Sequence, residues 1–548
     1  MDSRRRSLLR AGALLPASAA LAALAAPAAA RYAVPMDIPA PSTTPDVLAR
    51  DESYWSAVAS HFDITDEVNH LENGYWGAMG RETLASYQRH TAEVNRGNAW
   101  YGRHTFPAEY MAVHRQVADM LGVGADEIAL TRGATEAMLA LIGGYNRLSP
   151  GDQVLYADVD YDSMIGAMRW LQQRRGVQVE RIALPAVPDR AQILQAYDAA
   201  FARLPKLKLV LLTQVSHRHG LVLPVAEIAE RARARGIDVI VDAAHGFGQI
   251  AFAVPDLKAD FVGINLHKWI GAPVGVGAMY VRKGRVADLD PYMGETDDGR
   301  VGSRVHTGTV NFAAYLALPE AIALHQRIGS ANKQARLRYL RERWTVPARQ
   351  MAHLEVLSSP DPALASALAS FRLRGRTSVA DNMALQKRLL DEHRVFTTHR
   401  DGLESGACVR VTPSVFTRPQ QMDALVEALA AHLAASGSRV GLITNDQGRE
   451  LVDTRMLRSQ GFATEEIAGG CFCCRFSSLV EAAARLTAET QPDVFIAEPV
   501  GSCTSATTGR SSSTSGRPKN TSPVPPMPSR PRSVTSRSRS ASSSPLSA

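Results

Sequence analysis

Six short apolar runs, separated by stretches of helical periodicity, constrain the fold more than any other feature of the sequence. The runs are "EIALT" (127–131), "QVLYAD" (153–158), "LKLVLLTQV" (207–215), "DVIVDAA" (238–244), "DFVGIN" (260–265) and "GAMYVRK" (277–283). Between them, "TEAMLALIGGYNRL" and "PVAEIAERARARG" repeat apolar residues about every 3.6 positions, which is typical of helices. Apolar strands that alternate with helices indicate an α/β fold with a mostly parallel sheet covered on both faces.

The pattern changes after Gly308 to long helices and short strands such as "CVRVTP", with a last helix near Gln420 to Ala434. This part predicts a smaller α+β domain. We therefore expect a large domain at 51–310, which includes an N-terminal segment, and a small C-terminal domain at 311–437. Residues 31–50 are rich in Pro, Ala and Ser, and we expect a linker there, with structure beginning near Glu52.

The first 30 residues have the features of an export signal. They contain a basic head, an apolar centre and the small-residue run "AAA" at 28–30, which fits a cleavage site. The stretch from Ser3 to Leu8 resembles a twin-arginine signal. We expect a periplasmic or exported protein without a membrane anchor after signal removal. A frayed basic terminus is the alternative.

The net charge of +7 is located mainly at the ends of the chain. Seven basic residues and no acidic residue follow Thr504, and the first 30 residues are also basic. The chain between them is slightly acidic, so we expect no nucleic-acid partner.

Lys268 follows the apolar run "DFVGINLH", where an ammonium group would be costly to desolvate. Burial or a nearby cation lowers the pKa of a lysine, and the neutral amine can then bond to an aldehyde. Pyridoxal 5′-phosphate (PLP) is such an aldehyde. It requires a carboxylate at its ring nitrogen, donors for its phosphate and a side chain that stacks on its ring.

Other strand ends offer candidates for these requirements. Asp242 closes "DVIVD", one strand before Lys268, and can pair with the ring nitrogen. Tyr161 follows "QVLYAD" and can stack on the ring. The remaining candidates are the phosphate donors Gly133, Ala134 and Thr135 at a helix N-terminus, and two histidines within reach of the phenolic oxygen, His217 and His245.

Eight motifs between about Asp66 and Ala435 resemble, in order, those of the class V aminotransferases, a family of fold-type I PLP enzymes. The resemblance is greatest to the isopenicillin-N-epimerase-like branch. The motifs are "HLENGYWG", "TRGATEAM", "DVDYDSM", "VSHRHGLVLPV", "VDAAHGFGQI", "GINLHKWIGAPVGVGAMYV", "HTGTVN" and "VRVTPSVF". The resemblance implies a fold-type I PLP-transferase large domain and a homodimer whose sites are completed across the subunit interface.

The resemblance also implies individual roles. Lys268 bonds to the cofactor, and Asp242 pairs with the pyridinium. The other implied roles are phosphate binding for Ala134, Thr135, Asn265 and His267, a place beside the cofactor for His245, donation to the neighbouring subunit for Thr309, the grip on a substrate α-carboxylate for Arg410, and a place at the substrate entrance for Asn73.

Two departures from the family pattern affect these roles. Tyr161 stands where many relatives have His, and His217 replaces a common Asn, although stacking and hydrogen bonding survive both changes. A cysteine desulfurase of this family needs a cysteine on a mobile loop well before Arg410. Cys408 lies too close to that arginine, so we do not expect desulfuration.

Structural roles remain alternatives at each position. Asp242 can cap a helix, and Lys268 can extend to solvent. His245 and His267 can be satisfied core histidines, and Arg410 can pair with a structural acid.

Residues 438–503 carry a different pattern. "LITNDQG", "EIAGGCFCC" and "PDVFIAEPVGSC" resemble the CobW-type metal-chaperone GTPases. Thiolates at such spacing bind Zn(II) or Cu(I), so Cys471, Cys473 and Cys474 are candidate metal ligands. No Gly-rich loop ending in Gly-Lys-Ser/Thr precedes Val440, so we expect no nucleotide hydrolysis; a frameshifted or fused reading frame would explain this. The Ser/Arg/Pro-rich residues 504–548 are predicted to be disordered.

The sequence thus predicts a PLP-dependent enzyme that acts at the α-carbon of a small amino-acid-like substrate. Aminotransferase, epimerase and lyase reactions share these residues. The alternative function is metal binding or metal delivery through the cysteine cluster, with the large body as a non-catalytic scaffold.

Overall fold

The computed structural model describes residues 37–306, 308–435, 440–444, 463–466, 476–490, 492 and 494–497. The predicted signal segment at 1–30, the cysteines Cys471, Cys473 and Cys474, and the tail at 504–548 lie outside these residues. Within the described ranges, no helix combines the length and the apolar character that crossing a membrane requires.

The described strands are β1 (Asn69–His70), β2 (Ile128–Thr131), β3 (Gln153–Ala157), β4 (Gln178–Ile182), β5 (Leu207–Thr213), β6 (Asp238–Asp242), β7 (Phe261–Asn265), β8 (Gly277–Val281), β9 (Leu354–Val356), β10 (Ala369–Leu373), β11 (Val395–Phe396), β12 (Thr398–Arg400), β13 (Cys408–Val411), β14 (Val440–Thr444), β15 (Ala463–Glu466) and β16 (Val494–Ala497). The described α-helices are α1 (Pro45–Leu48), α2 (Glu52–Ala59), α3 (Arg81–His104), α4 (Phe106–Leu121), α5 (Ala134–Gly144), α6 (Asp162–Arg175), α7 (Arg190–Arg203), α8 (Val225–Arg233), α9 (Phe312–Leu316), α10 (Leu318–Ile328), α11 (Ser330–Gln350), α12 (Val379–His393), α13 (Pro419–Ala435) and α14 (Phe476–Thr490). Short 3-10 helices cover Ala125–Glu127, Val254–Leu257, Val286–Asp288, Val301–Arg304 and Pro362–Leu364.

The central sheet has seven strands in the order β2-β8-β7-β6-β5-β3-β4. The pairs from β4 to β7 are parallel, and β8 is antiparallel to both of its neighbours. Every residue of β2, β7 and β8 is buried, and separate hydrophobic clusters pack with the sheet strands. The predicted α/β fold with a mostly parallel sheet is confirmed.

A second sheet is antiparallel, with the order β12-β13-β10-β9. Its core includes Trp344 from α11 and Phe371 from β10, whose rings meet edge to face at 5.6 Å. Helices α12 and α13 also contribute buried leucines to this cluster. These residues supply the α+β part that the sequence indicates after Gly308.

Residues 69–77 connect the part of the chain after residue 394 to the loop that follows β7. Asn69 and His70 in β1 pair in parallel with β11, and Glu72 forms a parallel bridge with Thr412, just beyond β13. Gly77 N then donates to His267 O at 2.8 Å. The position of a Cβ on Gly77 would lie 1.8 Å from Lys268 O, so only glycine permits this approach.

Packing begins before Glu52, the first structured residue indicated by the sequence. Helix α1 covers residues 45–48, and Ile38 and Leu48 are buried in a cluster with Trp55 of α2. These residues lie in the segment that the sequence predicts as a linker.

A third sheet is parallel, in the order β15-β14-β16. Ile443 of β14 packs against Ala482 and Leu486 of α14. The strand and helix patterns after residue 438 therefore form regular structure in the described stretches.

Candidate active site

The candidate residues of the large sheet follow the carboxyl ends of its strands. Strands β2, β3, β5, β6 and β7 point in one direction, so their ends lie along the same edge, where ligands bind in open α/β sheets. The loop after β7 carries Lys268, and the loop after β6 carries His245. The strand order places these two loops next to each other.

Lys268 contacts His245 directly. Its Nζ lies 2.8 Å from His245 Nε2. Burial lowers the pKa of Lys268 to about 7, and the nearby Arg410 guanidinium acts in the same direction, whereas Asp242 opposes them. A substantial fraction of the amine is therefore neutral near pH 7, and the neutral amine is the form that attacks an aldehyde.

His245 is neutral in this setting. Burial lowers its pKa well below the usual value, and the charge of Lys268 adds to the effect. Its Nδ1 has no hydrogen-bond partner among the described residues, although it is buried. A polar atom in this position is available to a group bound beside Lys268.

Asp242 ends β6 and is 4% exposed. Its Oδ1 accepts a hydrogen bond from Ala244 N at 2.9 Å. Burial raises the pKa of this carboxyl, while the Ala244 amide and the charge of Lys268 lower it in part. Asp242 and Lys268 thus share one buried environment, reached from the adjacent strands β6 and β7.

The predicted phosphate site forms a small cradle at the start of α5. Gly133 has a φ of 147°, which favours glycine, and a Cβ there would lie 3.0 Å from His267 Cε1 and 3.1 Å from Asn265 Oδ1. Asn265 Oδ1 accepts from Ala134 N at 2.6 Å, so the side chain from β7 caps α5. Thr135, in the first turn, is exposed.

His267 lies against this cradle as a neutral ring. Its Nδ1 donates to Val276 O at 2.9 Å, and burial lowers its pKa to about 4. The backbone contact fixes the ring orientation. The amide of Ala134, predicted as a phosphate donor, is already engaged by Asn265.

Tyr161 and His217 form a second pair near the strand ends. Tyr161 precedes α6 and is 38% exposed, and its ring meets that of His217 edge to face at 4.9 Å. His217 Nε2 lies 3.6 Å from Asp162 Oδ2, and burial lowers the pKa of His217 to about 3. Its Nδ1 is buried without a partner in the described part of the chain.

Arg410 forms a buried ion pair. Its Nη2 donates to Glu72 Oε1 at 2.5 Å, and its Nη1 donates to His217 O at 2.6 Å. Arg410 therefore pairs with an acid, Glu72, which is the structural alternative to substrate binding that the sequence left open. The contact with the His217 backbone still places the guanidinium next to the candidate ring-binding residues.

Asn73 and Thr309 stand in different surroundings. Asn73 is 6% exposed, and its Nδ2 donates to Thr412 O at 2.9 Å, so its amide supports the segment that carries Glu72. Thr309 is exposed and lines a groove of about 1080 Å³, which also includes Phe106 and Tyr110. Its donation to a neighbouring subunit stays a prediction.

Two charged residues near Arg410 were missed by the sequence reasoning. Glu72 lies within the quoted motif "HLENGYWG", but its burial is visible only in the structure. Arg400 lies on β12 with its Nη2 4.0 Å from Glu72 Oε1. Its stretch "TTHRDG" likewise carries no signal of this contact.

Cys408 is buried on β13, and its Sγ contacts Arg218 O at 3.6 Å. Burial raises the pKa of this thiol to about 11. A buried, protonated thiol on a strand is a poor nucleophile.

The residues present fit PLP. A Cβ at Gly133 would lie 3.0 Å from His267 Cε1 and 3.1 Å from Asn265 Oδ1, so glycine lets the backbone approach both side chains. His217 Nδ1 and His245 Nδ1 are buried polar atoms without partners among the described residues. Lys268 would supply the amine, and Asp242 would supply the carboxyl for the ring nitrogen.

A family model for class-V aminotransferases matches residues 81–399. The chain belongs to the class-V aminotransferase family. The family predicted from the sequence motifs is confirmed, and so is its cofactor, PLP. The class-V chain is accordingly an enzyme.

Curated relatives of this class-V chain include enzymes of two activities. The isopenicillin N epimerase of Streptomyces clavuligerus is 26% identical over 69% of this chain and 98% of its own. A probable cysteine desulfurase of Xylella fastidiosa is 26% identical over 53% of this chain and 71% of its own.

Solved structures share the fold. The apo cysteine desulfurase from Thermococcus onnurineus NA1 has a TM-score of 0.61 at 19% identity and covers 69% of this chain and 98% of its own. A C-DES variant with glycine covalently linked to its PLP cofactor has a TM-score of 0.57 at 20% identity and covers 66% of this chain and 96% of its own.

A second family model, the CobW/HypB/UreG nucleotide-binding domain, matches residues 424–516 of the class-V chain. The predicted resemblance to CobW-type proteins is confirmed. The three clustered cysteines lie outside the described residues, and metal binding there stays a prediction.

Proposed function

We propose that this class-V enzyme removes a proton from the α-carbon of an amino acid and returns it on the other face, in an epimerase-like reaction. One observation carries the proposal. Lys268, with a pKa near 7, lies 2.8 Å from a neutral imidazole and shares a buried environment with Asp242. The match to isopenicillin N epimerase over 98% of that relative's length favours the epimerase type.

Lys268 has two tasks in this proposal. When bound, PLP withdraws electrons from the substrate and acidifies its Cα–H bond. Lys268 Nζ holds the cofactor until the substrate amine replaces it, and then accepts the Cα proton. A pKa near 7 suits both tasks, because the free amine is present near neutral pH. The proton that completes inversion reaches Cα from the face opposite Lys268.

His245 and Asp242 support the amine and the ring nitrogen. The neutral His245 ring holds Lys268 Nζ without adding a competing positive charge. The Ala244 amide fixes Asp242 Oδ1, so the carboxyl can hold a proton at the ring nitrogen through a charge-assisted hydrogen bond.

The α-carboxylate of the substrate is assigned to Arg410 in this proposal. A guanidinium binds a carboxylate with two parallel hydrogen bonds. The backbone of His217 holds Arg410 Nη1 at 2.6 Å, so the guanidinium is oriented before any substrate arrives.

The test is proton exchange at Cα. Holoenzyme in deuterated water is mixed with a panel of L- and D-amino acids, and NMR follows deuterium at Cα together with the chirality of the product. We expect exchange and inversion with at least one amino acid. Lys268→Ala should lower the exchange rate at least about 100-fold, whereas the exposed Lys387→Ala serves as the matched control.

Three results would contradict the proposed reaction. Release of a keto acid would identify transamination, and release of sulfide from cysteine would identify desulfuration. A colourless protein that copurifies with zinc would favour the metal-binding alternative.

The homodimer forms part of the proposal. The exposed Thr309 and the groove beside it lie on a surface that a second copy can cover, as the family resemblance implies. Light scattering of the purified enzyme should give twice the mass of the chain. A monomer with full activity would contradict this part.

Export is also proposed, on the basis of the twin-arginine-like stretch. Fusing residues 1–36 to a folded reporter should deliver the reporter to the periplasm. Replacing Arg4 and Arg5 with lysine should retain it in the cytoplasm, and delivery that is independent of both arginines would contradict the proposal.

A further inference from the structure

Three charged side chains form a partly buried cluster whose charges act on Lys268. Arg410 Nη2 lies 2.5 Å from Glu72 Oε1, and Arg400 Nη2 lies 4.0 Å from the same oxygen. The side chains of Arg410 and Glu72 are 1% and 8% exposed, and that of Arg400 is 28% exposed. Glu72 therefore stands between two guanidinium groups but bonds to only one of them.

The cluster is only partly satisfied. Glu72 Oε2 and the Nε atoms of Arg410 and Arg400 are buried without a hydrogen-bond partner in the part of the chain that the structure describes. A buried charge with unmade hydrogen bonds costs free energy. The free energy needed to separate Glu72 from Arg410 is therefore smaller than for a fully hydrogen-bonded pair. The backbone, in contrast, is held firmly, since Glu72 bridges Thr412 beside the strand of Arg410.

The substrate would meet this carboxylate at Arg410. A bound α-carboxylate and Glu72 would compete for the same guanidinium, and two carboxylates at one site repel each other. Arg400 offers Glu72 another partner only 4.0 Å away. A change of side-chain rotamer can make this exchange without moving the backbone.

We propose that Glu72 occupies the substrate-carboxylate position on Arg410 and transfers to Arg400 when the substrate binds. Glu72 and Arg400 are then positioning residues that set substrate affinity through Arg410. The inference rests on the proposed function in one respect, namely that Arg410 receives the substrate carboxylate. It adds a selection rule, since a ligand without a carboxylate cannot displace Glu72.

The experiment uses four holoenzymes: wild type, Glu72→Gln, Arg400→Met and the double variant. Calorimetry measures the binding of propionate, a carboxylate that has no amine to react. The exposed Glu404→Gln, which loses a surface pair with Arg181, is the matched control. The thermal unfolding midpoint of each protein is recorded, and Glu72→Met, which also removes the carboxylate, replaces Glu72→Gln if that variant does not fold.

Glu72→Gln should bind propionate at least about fivefold more tightly than wild type, because the competing carboxylate is gone. Arg400→Met should weaken propionate binding at least about fivefold more when Glu72 is present than when it is absent. The control should bind as wild type does.

Two results would overturn the inference. In one, Glu72→Gln, or the variant that replaces it, binds propionate no more tightly than wild type does or does not bind it at all. The other is an equal effect of Arg400→Met in both backgrounds. Neither outcome depends on proton exchange at Cα, so a failure of the proposed reaction remains distinguishable.

Discussion

Lys268 Nζ and His245 Nε2 lie 2.8 Å apart in a half-buried contact, and neither carries a permanent positive charge. Burial lowers the pKa of Lys268 to about 7 and that of His245 well below its usual value. The lone pair on the lysine thus becomes available within the physiological pH range.

Attachment of PLP to the apoenzyme should accelerate as pH rises through about 7, since only the neutral amine of Lys268 attacks the aldehyde. Arg410 helps to lower this pKa, so Arg410→Met should move the midpoint to higher pH. Stopped-flow absorbance of apoenzyme mixed with PLP measures the rate. A rate that is constant across this range, or a midpoint that moves to lower pH in the variant, would disprove the assignment.

Gly74→Ala should weaken amino-acid binding while leaving PLP attached. A Cβ at this position would lie 2.5 Å from Arg410 Nη2, so the guanidinium must move. Loss of a hydrogen bond to a charged group costs about 1.5–3 kcal/mol, and we expect KM to rise accordingly with little change in kcat. Steady-state kinetics provide the measurement.

Gly166→Ala is the control for that substitution, because nothing lies within 4 Å of a Cβ added there in α6. It should leave KM unchanged. An equal rise of KM in both variants would show that the effect is not specific to Arg410.

Two substitutions of Asn265 distinguish its role in capping α5 from its predicted role in phosphate binding. Asn265→Ala removes the acceptor for Ala134 N and should cost about 1 kcal/mol of apoenzyme stability. Asn265→Asp keeps the acceptor and should retain the stability, but its negative charge should weaken PLP binding through repulsion of the phosphate. Thermal unfolding of the apoenzymes and PLP titration measure the two effects. Unchanged PLP affinity in Asn265→Asp would place the phosphate elsewhere.

Cys408→Ala should retain turnover and lose only about 1 kcal/mol of stability, because the thiol is buried and protonated. Activity assays with amino acids, together with sulfide detection from cysteine, provide the check. Sulfide release by wild type that disappears in this variant would make Cys408 a nucleophile.

The sequence predicts the core strands well because their signal is local. The interior residues of strands β6 and β7 are apolar or glycine, and the structure ends both strands within two residues of the predicted limits. Strand β4 at the sheet edge was not recognised, since "QVERI" is polar and partly exposed. Ile38 was assigned to a linker because an isolated apolar residue among Pro and Ala gives no periodic signal.

The chemistry of the site was less accessible from sequence. Two features can be recognised from short stretches of sequence: a lysine after the buried strand β7, and an aspartate that ends the neighbouring strand β6. The pairing of Glu72 with Arg410 joins residues far apart in the chain, and it depends on side-chain orientation rather than on periodicity. The cap from Asn265 to Ala134 is equally non-local, so the sequence indicated a phosphate role but not the hydrogen bond.

The short stretch 69–77 contacts β11 and Thr412 at one end and the backbone around Lys268 at the other. Replacing the residues from 311 onward with those of a relative would therefore change the contacts that residues 69–77 make with β11 and Thr412. Chimeras should be active only when both pieces come from the same parent, so recombination in such enzymes is expected to preserve the two pieces as a linked pair.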